Sequence, residues 1–270
     1  MNSRFSYRKI PRSRIATFDT FSVGLKRHHV IALLEFDVTD ARKKLRELRK
    51  QGIKVSFNAW LIKTISSVLH IHPEAAGYLR GKKKMVIFDD INVSVIIEKV
   101  IGENRVPVPL VIEKANEKSA EEIASEIESA RKQDLSGNDI VLKLRTTFYE
   151  NLYYRMSGFM RRFIWKVMLN NPGLAFSKMG NVVVTSVGMM GKINGWFIHK
   201  SVHPVSFGVG SVLKKPVVIE NEVKVREILN MTILVDHDVI EGAQMVRFLN
   251  DLTDYIENVK DESWQIVHKT

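Results

Sequence analysis

The sequence predicts an α/β fold: a mixed-sheet sandwich forming a single domain. Three observations carry this. Strand-length runs of β-branched and apolar residues recur along the chain, with helical apolar periodicity between them. A hairpin-like pattern lies within the first hundred residues, and the chain closes as strand, turn and helix. At 270 residues, 45% hydrophobic and 26% charged, the chain is long enough to bury a substantial core and is not disordered wholesale. No internal repeat, low-complexity stretch or linker divides it, so one domain is expected over 1–270.

Residues 28–38 (HHVIALLEFDV) read as a strand. The highly charged helix after Thr39 carries Leu45 and Leu48 on one face and is stopped by Gly52. A second helix covers 56–70, with Ser56 or Asn58 as its cap and Trp60, Ile62, Ile65, Val68 and Leu69 as its apolar face; His72-Pro73-Glu74 ends it. Residues 82–88 and 91–97 flank Asp89-Asp90 and are expected to form a hairpin. The two prolines in 106–112 (VPVPLVI) indicate an edge or irregular strand. A helix follows over 118–133, with Ser119 and Glu122 spaced as a capping box. Residues 140–169 are basic and aromatic, with apolar positions at helical spacing; Pro172-Gly173 closes that segment. Strands are expected at 181–184, 205–210, 216–219 and 227–235. The last helix, 242–260, shows an apolar stripe of Val246, Leu249, Leu252 and Ile256.

Composition excludes several chemistries. With no cysteine there is no disulfide, thiolate nucleophile or cysteine-bound metal. The other histidines show no metal-ligand spacing, and no metal is expected. His28 and His29 read as surface residues beside a strand, and His199 and His203 as incidental loop residues. Ser201, Ser206 and Ser211 lack a nucleophile elbow. Gly208 and Gly210 lack the third glycine and the helix of a dinucleotide site and read as a strand bend. The net charge of +11 suits a polyanionic ligand, but no nucleic-acid motif accompanies it and no nucleic-acid partner is expected. The polar, basic first ten residues do not form a secretory signal, and no apolar run is long enough to span a bilayer, so a cytoplasmic location is expected. A membrane-surface contact through 140–169 is the less favoured reading of that segment; packing of its apolar stripe within the assembly is preferred.

Chemistry concentrates in Asp236-His237-Asp238-Val239-Ile240-Glu241-Gly242. A histidine at the end of a strong strand, held by backbone on both sides, suits a general base. An acid four residues later at a helix start favours the helix dipole and braces the loop. By residue type alone, a strand-end histidine also fits a purely structural or solvent-facing role.

The stretch resembles the HxxxDG signature of chloramphenicol acetyltransferases and of the catalytic domains of dihydrolipoamide acyltransferases. Further segments fall in the family's order: Ile10 to Ile15, Phe36-Asp37-Val38-Thr39, His72-Pro73-Glu74, Asp90-Ile91-Asn92-Val93, Val106 to Ile112, Lys118-Ser119, and Val184-Thr185-Ser186-Val187-Gly188-Met189-Met190-Gly191. The resemblance spans most of the chain. It implies a chloramphenicol acetyltransferase-like two-layer sandwich, with 140–179 as a helical insertion.

It also implies acyl transfer between a coenzyme A or lipoyl thioester and a thiol or hydroxyl acceptor. His237 would be the base and Thr185 the oxyanion donor from a neighbouring subunit of a homotrimer, with Glu241 bracing the loop. Ser186, Arg14 and Asp238 are the expected substrate-side residues, Arg14 being also the candidate partner of the signature acid. Glu241 stands where the family usually has aspartate, and Asp238 where arginine is common. No lipoyl-bearing or subunit-binding domain is expected before residue 1, and a lipoyl group is expected on another chain. These departures keep a second reading open: a catalytically inactive trimeric scaffold, with or without assembly beyond the trimer.

Overall fold

The computed structural model describes residues 6–10, 13–81, 83–101, 104–132, 152–187, 191 and 193–259. Its main sheet has six strands in the order β1-β8-β7-β6-β4-β5: β1 His29–Asp37, β4 Val93–Ile101, β5 Asn104–Ile112, β6 Val182–Ser186, β7 Val205–Ile219 and β8 Glu222–Asp236. The β4/β6 and β6/β7 pairs are parallel; β1/β8, β7/β8 and β4/β5 are antiparallel. The sheet is therefore mixed, as expected.

Alternation decides which face each strand buries. Phe36, Val93, Val95, Val182, Val184, Val205, Phe207, Met231 and Ile233 point into one large core. Helices α2 (Thr39–Lys50), α3 (Phe57–Ile71), α4 (Ala120–Lys132) and α7 (Gly242–Glu257) supply its other layer. The capping signals behave as read. Ser56 accepts from the Ala59 amide at 3.2 Å, and Ser119 and Glu122 exchange both bonds of a capping box at 3.1 and 2.7 Å. Gly52 lies at φ +86° beyond α2, where a Cβ would strain the turn.

A smaller apolar cluster lies apart from the core. It joins Val23 of α1 (Ser13–Gly24) to Trp165 and Met168 of α5 (Gly158–Asn170), Met179 of α6 (Pro172–Met179) and Val202. Asp19, buried in α1, accepts from Arg161 Nε at 2.7 Å and from the Tyr153 hydroxyl at 2.9 Å, which ties α5 to α1. Burial, reinforced by Asp19, pushes the Tyr153 hydroxyl up to about 12. Residues 140–151 of the proposed insertion lie outside the described residues.

Four expectations are corrected. The hairpin across Asp89-Asp90 does not form. Strand β3 (Lys84–Val86) pairs instead with β2 (Tyr78–Arg80) around Gly81 at φ +67°, and β4 pairs with β5. Residues 90–92 are drawn into side-chain bonds: Asn92 N–H to Asn181 Oδ1 (2.9 Å) and Ile91 N–H to Asn116 Oδ1 (2.8 Å). Next, 205–210 and 216–219 are one strand, irregular between Val209 and Val212, that meets β8 through a turn with Glu220 and Asn221 at positive φ. Pro172 does not merely close a helix; it opens α6 at a first-turn position, where its missing N–H costs nothing. In α7 the buried stripe is Phe248, Leu252, Tyr255 and Ile256, while Val246 is 52% exposed. Helix α1 is an element not among those expected from the sequence.

Candidate active site

The turn carrying His237 begins where β8 ends. Asp236 is fully buried and every polar group of it is engaged. Its carboxylate accepts from Arg27 Nη1 at 2.6 Å and from the Asp238 amide at 3.2 Å. Its amide donates to Pro204 O at 2.8 Å, and its carbonyl accepts from Val239 and Ile240 at 3.0 and 3.3 Å. The His237 amide donates to His28 O at 3.0 Å, while the ring faces solvent on an exposed residue. The backbone is thus fixed on both sides of an accessible imidazole.

Asp238 is exposed, and its carboxylate lies 2.9 Å from His28 Nδ1. Glu241 is the exposed N-cap of α7, and its amide donates to Gln244 Oε1 at 3.2 Å. Arg14 is not brought to Glu241; its guanidinium lies over the Phe18 ring within α1, 5.9 Å from the centroid. Thr185 and Ser186 end β6, both half-buried.

Register measures the separation of His237 from Thr185. Thr185 is opposite Gly208, and Gly208 opposite Thr232. His237 lies five residues beyond Thr232, and two strand spacings separate β8 from β6. At about 3.3 Å per residue and ~4.8 Å per strand, the two are roughly 15–20 Å apart within one chain. One reacting carbonyl does not reach both in a single copy.

Three histidines expected to be surface or incidental residues are withdrawn from solvent, His203 buried and His29 and His199 half-buried. His203 Nε2 lies 2.9 Å from Met179 O, and burial pushes its pKa down to about 4. His29 Nε2 lies 3.0 Å from His203 O, and His199 Nε2 lies 2.9 Å from Ser206 Oγ; burial lowers both. The His199 ring occupies the space over Gly208, where a Cβ would sit 2.7 Å from its Nδ1. A side chain at 208 would force the His199 ring to shift. Among the described residues, no group of three or more His, Asp or Glu side chains is placed to hold a metal ion, and no helix is long and apolar enough to cross a membrane.

Residues 9–140 and 175–262 match the family described as 2-oxoacid dehydrogenases acyltransferase (catalytic domain). The chain belongs to this family. The match passes over 141–174, the stretch that includes α5. Among curated acyltransferase relatives, the chain is 25% identical over 241 residues to the lipoamide acyltransferase component of the Bacillus subtilis branched-chain alpha-keto acid dehydrogenase complex, covering 87% of this chain and 48% of that protein. It is 28% identical over 215 residues to the Mycoplasma genitalium dihydrolipoyllysine-residue acetyltransferase component of the pyruvate dehydrogenase complex, covering 79% and 46%. The chain thus spans about half the length of these relatives.

The fold agrees. A probable dihydrolipoamide acetyltransferase from Listeria monocytogenes superposes with a TM-score of 0.68 at 21% identity, covering 98% of this chain and 97% of the other. The Azotobacter vinelandii dihydrolipoamide acetyltransferase, studied for the catalytic role of one serine, one histidine and one asparagine, gives 0.68 at 16% identity, covering 95% and 94%. A chloramphenicol acetyltransferase gives 0.50 at 12% identity, covering 92% and 96%. The expected chloramphenicol acetyltransferase-like architecture is therefore the observed one.

Arg27, buried His203 and half-buried His29 and His199 were not among the expected site residues. Arg27 sits in a basic run, Lys26-Arg27-His28-His29, which reads as solvated surface. Only its pairing 209 residues away gives it meaning.

Proposed function

We propose that this chain transfers acyl groups between a coenzyme A or lipoyl thioester and a thiol or hydroxyl acceptor, at sites formed between copies of a homotrimer. The observation that carries this reading is the 236–241 turn, which presents an exposed imidazole on a backbone held by Arg27, His28 and Asp236. His237 removes the proton from the acceptor thiol or hydroxyl. The resulting anion attacks the thioester carbonyl, and the tetrahedral oxyanion accepts a hydrogen bond from Thr185 Oγ1 of a neighbouring copy. Collapse breaks the carbon–sulfur bond, and the imidazolium returns its proton to the departing thiolate. Base catalysis of this kind contributes roughly 10²–10⁴-fold and one oxyanion donor about 10²–10³-fold. Thr185 and His237 resemble in chemical kind the serine and histidine studied in the Azotobacter enzyme, with threonine for serine.

The separation of His237 and Thr185 within one copy makes complementation the test. His237→Ala and Thr185→Val homo-oligomers are each expected to lose at least about 10²-fold in kcat. Unfolded and refolded together in equal amounts, they should regain about one quarter of wild-type sites, because an interface needs an intact His from one copy and an intact Thr from the next. Recovery well above the sum of the parents supports the shared site. No recovery, from a wild type that is active, refutes it. No thioester turnover by the wild type leaves the scaffold reading, for which Glu241, exposed and paired with no arginine among the described residues, is the supporting feature.

A further inference from the structure

The residues that hold the His237 turn are not those that the signature pattern designates. The signature acid, Glu241, is exposed and serves as the α7 N-cap. The fully buried acid is Asp236, immediately before the histidine, and it binds Arg27, whose side chain is only 15% exposed. A carboxylate without solvent is strongly dependent on its one cation, and a guanidinium offers that contact in a fixed geometry. The other carboxylate oxygen of Asp236 accepts the Asp238 amide, so the pair reaches across His237 to the residue after it.

The next residue along from Arg27 completes the grip. His28 O accepts the His237 amide, and its ring lies against the Asp238 carboxylate. Two consecutive residues between α1 and β1 therefore hold three consecutive residues of the turn: Arg27 holds Asp236, and His28 holds both His237 and Asp238. Nothing comparable reaches from Glu241, whose amide bonds within its own helix turn.

We propose that Arg27 and Asp236 are the positioning pair for His237, with His28 as the second point of attachment, and that in this chain the bracing role has moved from the signature acid to the acid before the histidine. The inference rests on His237 acting as the base, but its structural half does not. Arg27 touches no reacting atom; it acts by fixing where the imidazole sits. Misplacing a catalytic group by about 1 Å costs on the order of 10²-fold in rate.

The test uses the full chain with Arg27→Met, Arg27→Lys, Asp236→Asn and Glu241→Gln. Amide exchange is read at His237 and Asp238, with β8 residues Met231 and Ile233 as the internal standard. Turnover is read as kcat and KM for acyl-coenzyme A. In Arg27→Met, exchange at His237 and Asp238 should speed up at least about tenfold while the β8 core stays protected. Its kcat should fall roughly 10²-fold with KM within about twofold of wild type, the pattern of an interaction used in the transition state. Arg27→Lys should recover most of the loss, because the charge is restored. Glu241→Gln should lose at least about tenfold less than Arg27→Met. If Arg27→Met does not fold, Asp236→Asn reads the same quantities with its shape kept and its charge removed. Unchanged exchange at His237 and Asp238 overturns the proposal, as does a Glu241→Gln loss equal to that of Arg27→Met. A wild type without turnover would overturn the acyl-transfer reading, while the exchange data would still decide the brace.

Discussion

Lowering the pH from 7 to 5 should destabilise this fold through His203. The ring is buried with Nε2 2.9 Å from the Met179 carbonyl, an acceptor that requires the proton on Nε2 of a neutral imidazole. Burial, with Arg27 adding repulsion, pushes its pKa from 6.5 down to about 4. A histidine lowered in the folded state binds its proton in the unfolded chain first, so stability falls as pH drops through the window between 6.5 and about 4. The complete titration corresponds to roughly 3 kcal/mol, of which about 2 kcal/mol develops between pH 7 and 5. His29 and His199 are lowered by burial too and act in the same direction. Urea unfolding at pH 7 and pH 5, at one protein concentration, compares the wild type with His203→Gln, which keeps a donor for Met179 O but does not titrate. The wild type should lose about 2 kcal/mol more than the variant over that interval. Equal losses would refute the buried, neutral state of His203.

Two further perturbations probe the packing that carries the site. Phe248 is fully buried in α7 and lies edge-on to Phe207 and His72; Phe248→Ala should cost about 3–5 kcal/mol by urea midpoint, and a loss under about 1 kcal/mol would contradict the packing. Asp19→Ala removes the partner of Arg161 and Tyr153; α1 and α5 amides should lose protection while the sheet keeps its own, and the Tyr153 ionisation seen by ultraviolet absorbance should move down from about 12.

What the sequence made legible follows from how far each signal reaches. Strand β1, helices α2, α3 and α4, and the edge strand β5 were readable because their signals are local: a capping serine three residues from the amide it caps, or prolines that cannot donate to a second neighbour. The hairpin at Asp89-Asp90 failed for a non-local reason. Two polar residues between apolar runs do signal a turn, but Asn92 found its partner in Asn181, 89 residues on. That contact sets β4 parallel to β6 and leaves its antiparallel partner to β5. The β7–β8 turn was missed because Glu220 and Asn221 adopt positive φ without a glycine at either position.

The candidate site divides along the same line. His237 was legible because strand, turn and helix adjoin it in the chain. Its support was not, because a basic run such as Lys26-Arg27-His28-His29 has the same composition whether it is solvated or clamped under a turn. Asp236 shows why a motif acid is a weaker guide than a buried one. An exposed carboxylate such as Glu241 can be exchanged for a neighbour at little energetic cost. A carboxylate with no solvent contact, bonded to one guanidinium, leaves a bare buried charge if either partner is lost. That asymmetry ties the geometry of the turn to Arg27. Arg27 itself lies three residues beyond the end of α1, whose Asp19 is bound by Arg161 and Tyr153. Tyr153 and Arg161, in the stretch that the family match passes over, thus anchor the helix that precedes the Arg27–Asp236 pair.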